Sequence, residues 1–357
     1  MKTFEIIGMM SGTSLDGVDL AHCTFQEMNG KYTFDLGCCE TIPYPVSWLD
    51  RLKELPQTSA MEYAETHVAY GRYIGQLIKN FIDTNLLSAD FVASHGHTIF
   101  HNPDKLYTAQ IGDGAAISMG CDLPVVCDFR SSDVAANGQG APLVPFGDEL
   151  LFPEYDYCLN LGGFANISTN IDGKRIAFDI SPANIVLNFI ANKAGKPFDE
   201  DGKLAASGKT DAELLAKLNN LDFYKKQPPK SLGREWVEKH IIPLLNQSVL
   251  SLEDIAHTFC HHIAIQIAAC IEKGRGNKML ITGGGAFNAF LIKKIRENAD
   301  IELVIPDAKT INYKEALVFA FLGLLRMQAL PNCLASVTGA SHNVIGGAVY
   351  LPGKSKF

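Results

Sequence analysis

The sequence predicts an α/β or mixed α+β chain built as two related halves, and three observations carry that reading. Its 357 residues exceed what one small core fills and suit two lobes. Candidate elements run β-β-β-α-β and then β-β-β-α-α-β-α-β-α, so strands open each half and helices follow. Each half also begins with a glycine-bearing strand–turn–strand unit, an internal repeat that weighs more than any single element.

Strands are expected at Phe4–Met9, Val18–Phe25 and Tyr32–Thr41. Apolar residues then recur at three- and four-residue steps from Met61 to Asn85, the period of a long amphipathic helix. Short strands follow near Phe91–Ser94 and Val125–Cys127, and a second all-β stretch at Tyr157–Leu161, Ala165–Thr169 and Arg175–Phe178. Helices are read at Ala183–Lys193, Asp211–Leu221, Glu253–Glu272, Phe287–Asn298 and Lys314–Gln328. Between them Lys278–Thr282 and Leu303–Ile305 read as buried parallel strands. The expected lobes are 1–135, completed by 336–357, and 136–335.

The first hairpin is Ile6-Ile7-Gly8-Met9-Met10-Ser11-Gly12-Thr13-Ser14-Leu15-Asp16-Gly17-Val18-Asp19. The second is Tyr157-Cys158-Leu159-Asn160-Leu161-Gly162-Gly163-Phe164-Ala165-Asn166-Ile167-Ser168. One such bend is an ordinary glycine turn. Two of them supply amides that cradle phosphate from both sides, as in the nucleotide cleft of a duplicated two-lobe kinase. A third cluster, Gly283-Gly284-Gly285-Ala286-Phe287-Asn288 after a strand, adds a helix start that suits a phosphate or nucleoside. No spaced GxGxxG and no Walker GxxxxGK[ST] is present.

Composition narrows the class. The chain is 47% hydrophobic and 20% charged, with net charge −8, which disfavours nucleic acid and anionic membrane as partners. Met1–Ile7 runs into a strand pattern and lacks the features of a signal peptide, so a cytoplasmic protein is expected. The longest apolar stretch, Ala316–Leu325, is too short to span a bilayer. Nine scattered cysteines without a CxxC pair read as free thiols.

Ordered motifs then identify a family. They are Gly8-x-Met10-Ser11-Gly12-Thr13-Ser14-x-Asp16-Gly17-x-Asp19, Ser94-His95-Gly96-x-Thr98, Gln110-Ile111-Gly112-Asp113 and Asp128-Phe129-Arg130-Ser131. Gly138-Gln139-Gly140-Ala141-Pro142, Asn160-Leu161-Gly162-Gly163, Pro229-Lys230-Ser231-x-Gly233-Arg234-Glu235, Gly283-Gly284-Gly285-x-x-Asn288, Glu315-Ala316 and Thr338-Gly339-Ala340 continue the series. Over Ile6 to Leu351 the chain resembles the anhydro-N-acetylmuramic acid kinases, of the sugar kinase, actin and heat-shock chaperone superfamily. The resemblance implies a duplicated two-lobed actin-like (ribonuclease H-like) fold with an interlobe ATP cleft.

It further implies that ATP, water and 1,6-anhydro-N-acetylmuramic acid give N-acetylmuramic acid 6-phosphate and ADP, in cell-wall recycling. Opening an internal acetal ordinarily takes a carboxylic acid and a carboxylate base. Here the γ-phosphoryl group captures the leaving O6, so one base suffices. By the family pattern that base is Asp179, which taken alone reads as a turn or cap aspartate before Pro182. Glu315 is a possible second carboxylate, or simply an acid favourable at a helix start. Gly12, Thr13, Ser14, Leu15, Asp16, Gly17, Val18 and Asp19 form the implied ATP phosphate loop, joined by Gly162, Gly163, Gly284, Gly285 and Asn288. Asp16 or Asp19 would position Mg²⁺, largely through water. His97, Thr98 and Arg130 fall in the implied sugar site, with the Arg130 fork suited to the lactyl carboxylate or to an inter-lobe salt bridge. A homodimer is implied.

Three departures touch the sugar site, one being His101 after Phe100 where the family usually has a basic residue. The family's Asp-Thr-Gly-Pro-Gly-Asn reads Asp179-Ile180-Ser181-Pro182-Ala183-Asn184, and its Gly-Gln-Thr reads Gly96-His97-Thr98. If Ser181 or Ala183 had to adopt positive φ, strain of about 1 kcal/mol or more would follow. Alternatives are therefore a paralogous kinase of another (anhydro)sugar, or a non-catalytic actin-like ATP-binding switch. A metal hydrolase using His95-x-His97, or His257, His261 and His262, is a further rival, although HExxH is missing.

Overall fold

The computed structural model describes residues 1–12, 15–272 and 277–353. In chain order the strands are β1 (Lys2–Ser11), β2 (Val18–Met28), β3 (Lys31–Ile42), β4 (Phe91–Asn102), β5 (Tyr107–Ile111), β6 (Val125–Cys127), β7 (Tyr157–Leu161), β8 (Phe164–Ile171), β9 (Lys174–Pro182), β10 (Lys278–Thr282), β11 (Glu302–Val304) and β12 (Ala348–Tyr350). One sheet has the order β12-β6-β4-β1-β2-β3, with β5 on β4, and the other is β11-β10-β7-β8-β9. In the first, β1, β4 and β6 run parallel while β2 opposes β1 and β3. In the second, β7, β10 and β11 run parallel while β8 opposes β7 and β9. Setting β5 and β12 aside, both sheets repeat the order 3-2-1-4-5 with only the second strand reversed. That is the duplicated ribonuclease H-like α/β arrangement expected.

The chain divides into two compact units, Met1–Phe152 with Tyr313–Phe357, and Pro153–Asn312. These breaks differ from the expected 135/136 and 335/336. Contacts of the long helix Ala308–Met327 explain why. Buried Lys314 pairs with buried Asp148 at 2.6 Å, and a Cβ on Gly147 would lie 2.6 Å from Val318. Helix Val144–Leu151 and most of Ala308–Met327 thus belong with the first unit.

Within that unit, helix Ala60–Asn85 is capped by Ser59, which accepts from the Glu62 amide, and buries Tyr70, Ile74, Ile78 and Phe81 against the sheet. Helix Gly114–Cys121, missed because its small residues carry no clear period, lies beside it. Gly71 and Gly75 permit this, since a Cβ at either would come within 2.8 Å of a backbone oxygen of Asp113 or Ile117. Across the sheet, a Cβ on Gly8 would meet the Ala316 carbonyl oxygen at 2.0 Å. In the second unit, helix Leu252–Ala268, capped by Ser251, packs Phe259, Ile263 and Ile267 into a core with Leu159, Ile167 and Ile281.

Candidate active site

Ser11 ends β1, and of the expected phosphate loop that follows it Thr13 and Ser14 lie outside the described residues. The Leu15 amide returns to the Gly12 carbonyl at 3.2 Å, and Leu15 takes φ of 62°. A left-handed leucine is costly and is held by its surroundings. Asp16 is exposed, Val18 is buried and begins β2, and Asp19 is half-buried beside it. Thr41 Oγ donates to the Asp19 carboxylate at 2.6 Å. Burial raises the Asp19 carboxyl, the Thr41 bond opposes this, and the charge of Asp16 adds to the rise. Gly17 has a different reason to be glycine than phosphate access: a Cβ there would lie 2.5 Å from the Ile42 carbonyl oxygen.

Arg130 precedes a short helix, Ser131–Ala135, and its guanidinium donates from Nε and Nη2 to His95 Nε2 and from Nη1 to the Gly140 carbonyl at 2.6 Å. His95 Nε2 can accept only if the proton sits on Nδ1, which faces the Gly96 carbonyl at 3.0 Å. Burial drives the His95 pKa well below its ordinary value and Arg130 adds to this, so the ring is neutral. Burial also lowers Arg130 to about 10, against the pull of Glu315. Glu315 opens to solvent, yet protein crowds it enough that desolvation raises its carboxyl, with Arg130 opposing and Asp19 reinforcing the rise. Asp16, Asp19, Glu315 and Arg130 therefore share one electrostatic neighbourhood.

A bulge on β4 sends its two histidines apart. The β1–β4 register slips between Met9 and Ser11, and Gly96 sits there with φ of 73°. His95 then packs tilted against Phe319, 4.6 Å between ring centres, while His97 turns to Ser11 Oγ at 2.8 Å and the Tyr70 ring. These rings do not converge, which removes the basis for a His95-x-His97 metal centre. His257, His261 and His262 likewise turn to Ala205, Thr210 and Asn219. Thr98 stands next to His97 and accepts from Gln110 Nε2 at 3.3 Å.

In the second unit Asp179 occupies another bulge, where Asn166 pairs with Asp179 but Ala165 pairs with Ser181. Its amide donates to the Lys230 carbonyl at 3.0 Å, and its Oδ2 accepts from the Leu232 amide at 2.8 Å. Burial raises its carboxyl, and the Leu232 bond opposes the rise. Oδ1 has no hydrogen-bond partner among the described residues. Ser181 and Ala183 avoid the feared strain: neither takes positive φ, and Ala183 has φ of −130°.

The glycine turns are partly committed to structure. The carbonyls of Gly162 and Gly163 accept from the amides of Asn184 and of Ala183 and Ile185, which serve the start of helix Asn184–Lys193. A Cβ on Gly163 would meet nothing within 4 Å, so that face of the turn is open. Gly284 is also open, with Asn184 Nδ2 at 3.7 Å, whereas a Cβ on Gly285 would strike Leu161 at 2.7 Å. Asn288 caps helix Ala289–Asn298 by accepting from the Leu291 amide, which explains why that helix starts later than expected.

Sequence reasoning missed His95 as the support of Arg130, and Tyr44 and Tyr70 as partners of Ser11. The Ser94-His95-Gly96 motif held a signal for the first. Nothing in sequence pointed to the tyrosines, which lie far from the motifs along the chain.

The family model described as anhydro-N-acetylmuramic acid kinase matches residues 4–352. An anhydro-N-acetylmuramic acid kinase of Francisella tularensis subsp. novicida is 34% identical, covering 96% of this chain and 97% of that one. One from Pseudomonas syringae pv. syringae is also 34% identical, over 97% and 99%. Among solved structures, component A of the (R)-2-hydroxyglutaryl-CoA dehydratase of Acidaminococcus fermentans shares 13% identity at a TM-score of 0.46, covering 89% of this chain and 96% of that one. Among the described residues no helix is long and apolar enough to cross a membrane.

Proposed function

The chain belongs to the anhydro-N-acetylmuramic acid kinase family, and from that membership and the site geometry we propose how it opens 1,6-anhydro-N-acetylmuramic acid and phosphorylates it at O6. Asp179 is the base. Burial raises its carboxyl, which makes it a better proton acceptor, and Oδ1 is unengaged among the described residues while Leu232 holds Oδ2. It takes a proton from water, the water oxygen bonds to C1, and the C1–O6 bond breaks. O6 bonds to the γ-phosphorus of ATP and ADP departs, so no separate acid is needed for the leaving oxygen.

The remaining roles fit the same reading. The loop from Gly12 to Asp19 holds the phosphates. Arg130 has two N–H groups beyond those bound to His95 and Gly140, one on each terminal nitrogen, which suit a carboxylate such as the lactyl group. Glu315 is a second carboxylate able to hold a proton near that cation. Asp16 and Asp19 offer the hard oxygen donors that Mg²⁺ takes alongside phosphates, and the ion would supply charge neutralisation there. A cytoplasmic homodimer completes the proposal.

The observation that carries this reading is the unengaged Asp179 Oδ1 on its bulge. A coupled ADP-release assay over anhydro and open sugars tests it. Turnover is expected with 1,6-anhydro-N-acetylmuramic acid ahead of glucose and open N-acetylmuramic acid. Efficient phosphorylation of glucose without reaction of the anhydro sugar overturns it.

A further inference from the structure

Ser11 and His97 are register partners across the parallel strands β1 and β4. Ser11 Oγ lies 2.8 Å from His97 Nδ1 and 2.6 Å from the Tyr44 hydroxyl, which in turn bonds the Tyr70 hydroxyl. All of these contacts are buried: Tyr70 is 0% exposed, Ser11 1%, His97 4% and Tyr44 6%. Ser11 Oγ also stands near the Tyr70 hydroxyl, but the direct hydrogen bonds among these groups are those three contacts.

Counting hydrogens fixes their direction. There are three contacts and three hydroxyl hydrogens. If His97 Nδ1 is bare, Tyr70 donates to Tyr44, Tyr44 to Ser11 and Ser11 to Nδ1, and every hydrogen is used. If Nδ1 carried a proton, four hydrogens would share three contacts, leaving one O–H unpaired where water does not reach. A buried O–H without a partner is costly enough to select the first arrangement. Burial lowers the His97 pKa to about 4, so the ring is neutral at pH 7.

We infer that Ser11, its hydroxyl directed by Tyr44 and Tyr70, is a positioning residue that holds His97 as the Nε2–H tautomer, so that Nε2 offers a hydrogen-bond donor to an acceptor oxygen of the bound ligand. Nε2 has no protein partner among the described residues and is not among the sealed, unsatisfied atoms, so it is open to a ligand. Ser11 also leads directly into the phosphate loop. The acceptor is an oxygen of the sugar or of the phosphoryl group, and its identity rests on the function proposed above. The tautomer does not.

The test is ¹⁵N NMR of histidine-labelled full-length protein, with the His97 ring assigned by its loss in His97→Gln. The bare nitrogen should be Nδ1 in the wild type and in Tyr70→Phe, which keeps two hydrogens for two contacts. Ser11→Ala should release the ring to a mixture of tautomers. A proton on Nδ1 in the wild type, or an unchanged ring in Ser11→Ala, overturns the inference. In kinetics, His97→Leu should raise one KM roughly fivefold or more. His97→Gln, whose amide nitrogen donates from the place of Nε2, should restore it. Ser11→Ala should raise the same KM and add nothing in the His97→Leu background. A rise in the sugar KM identifies a sugar oxygen, and a rise in the ATP KM a phosphate oxygen. Two unmoved KM values, or strictly additive effects, overturn the ligand contact. Absence of sugar turnover in every variant and the wild type would instead defeat the proposed function, leaving the NMR result to stand or fall alone.

Discussion

Arg130 donates from both Nε and Nη2 to one acceptor, His95 Nε2, at 3.0 and 2.9 Å. This pair aims the guanidinium. A lysine has no fork to share between His95, Gly140 and a carboxylate. Arg130→Lys is therefore expected to raise the sugar KM by roughly tenfold or more with little change in the ATP KM, since charge-assisted bonds contribute about 1.5–3 kcal/mol each. Steady-state kinetics with each substrate varied in turn reads the split, and an ATP-only effect would place Arg130 elsewhere.

Gly8 seats the helix that carries Glu315. With a Cβ only 2.0 Å from the Ala316 carbonyl oxygen, Gly8→Ala forces strand and helix apart. Overpacking of this kind costs about 1–3 kcal/mol or more. Thermal unfolding should show a clearly lower Tm, and turnover should fall further than stability alone accounts for because Glu315 moves with Ala316. An unchanged Tm would mean that the helix shifts freely.

Much of this fold is legible in the sequence. The strands around Gly8, Asn160 and Ile281 announced themselves by apolar runs ending in glycine turns, and the repeat of those turns announced the duplication. Helix Gly114–Cys121 was not legible, because it is held by close approach to Gly71 and Gly75 and not by an apolar stripe. The two compact units divide at other positions than the expected lobes for a related reason: the Asp148–Lys314 pair joins residues far apart in sequence. For the candidate residues, residue types pointed to Asp16, Asp19 and Arg130 in the first unit and Asp179 in the second, but not to the bulges at Gly96 and Ile180 that orient their neighbours. A bulge is one extra residue in a ladder, and no local pattern reveals which pairing it interrupts.

Neutral buried histidines make stability depend on pH. His97 falls from its ordinary 6.5 to about 4 and His262 to about 3, both through burial. Folding then favours the neutral rings, so their contribution is fully present above pH ~6.5 and is lost as pH falls toward 4 and 3. The raised carboxyls of Asp19, Asp179 and Glu315 act in the opposite sense, since they favour protonation in the folded chain. The difference between wild type and His97→Gln isolates one ring. Denaturant titrations from pH 7 to 4 should show wild type losing stability relative to the variant, and parallel curves would refute a neutral, desolvated His97.

Asp179→Asn keeps size and preserves an acceptor for the Leu232 amide while removing the base. Turnover is expected to fall by at least ~10², with ATP affinity nearly unchanged. Isothermal titration with a non-hydrolysable ATP analogue, alongside single-turnover kinetics, separates the two. Near-native turnover would move the base to another group, with Glu315 the next candidate.

Water attack at C1 is what separates this chemistry from that of an ordinary hexokinase, where the sugar hydroxyl itself is the nucleophile. Reaction in ¹⁸O-water followed by mass spectrometry of the sugar phosphate tests it most directly. The product is sampled early, before anomeric exchange with solvent. One ¹⁸O at C1 and none in the transferred phosphate is the expected result. An unlabelled C1 in the early product, or ¹⁸O in the phosphate, would contradict hydrolytic opening by an Asp179-activated water.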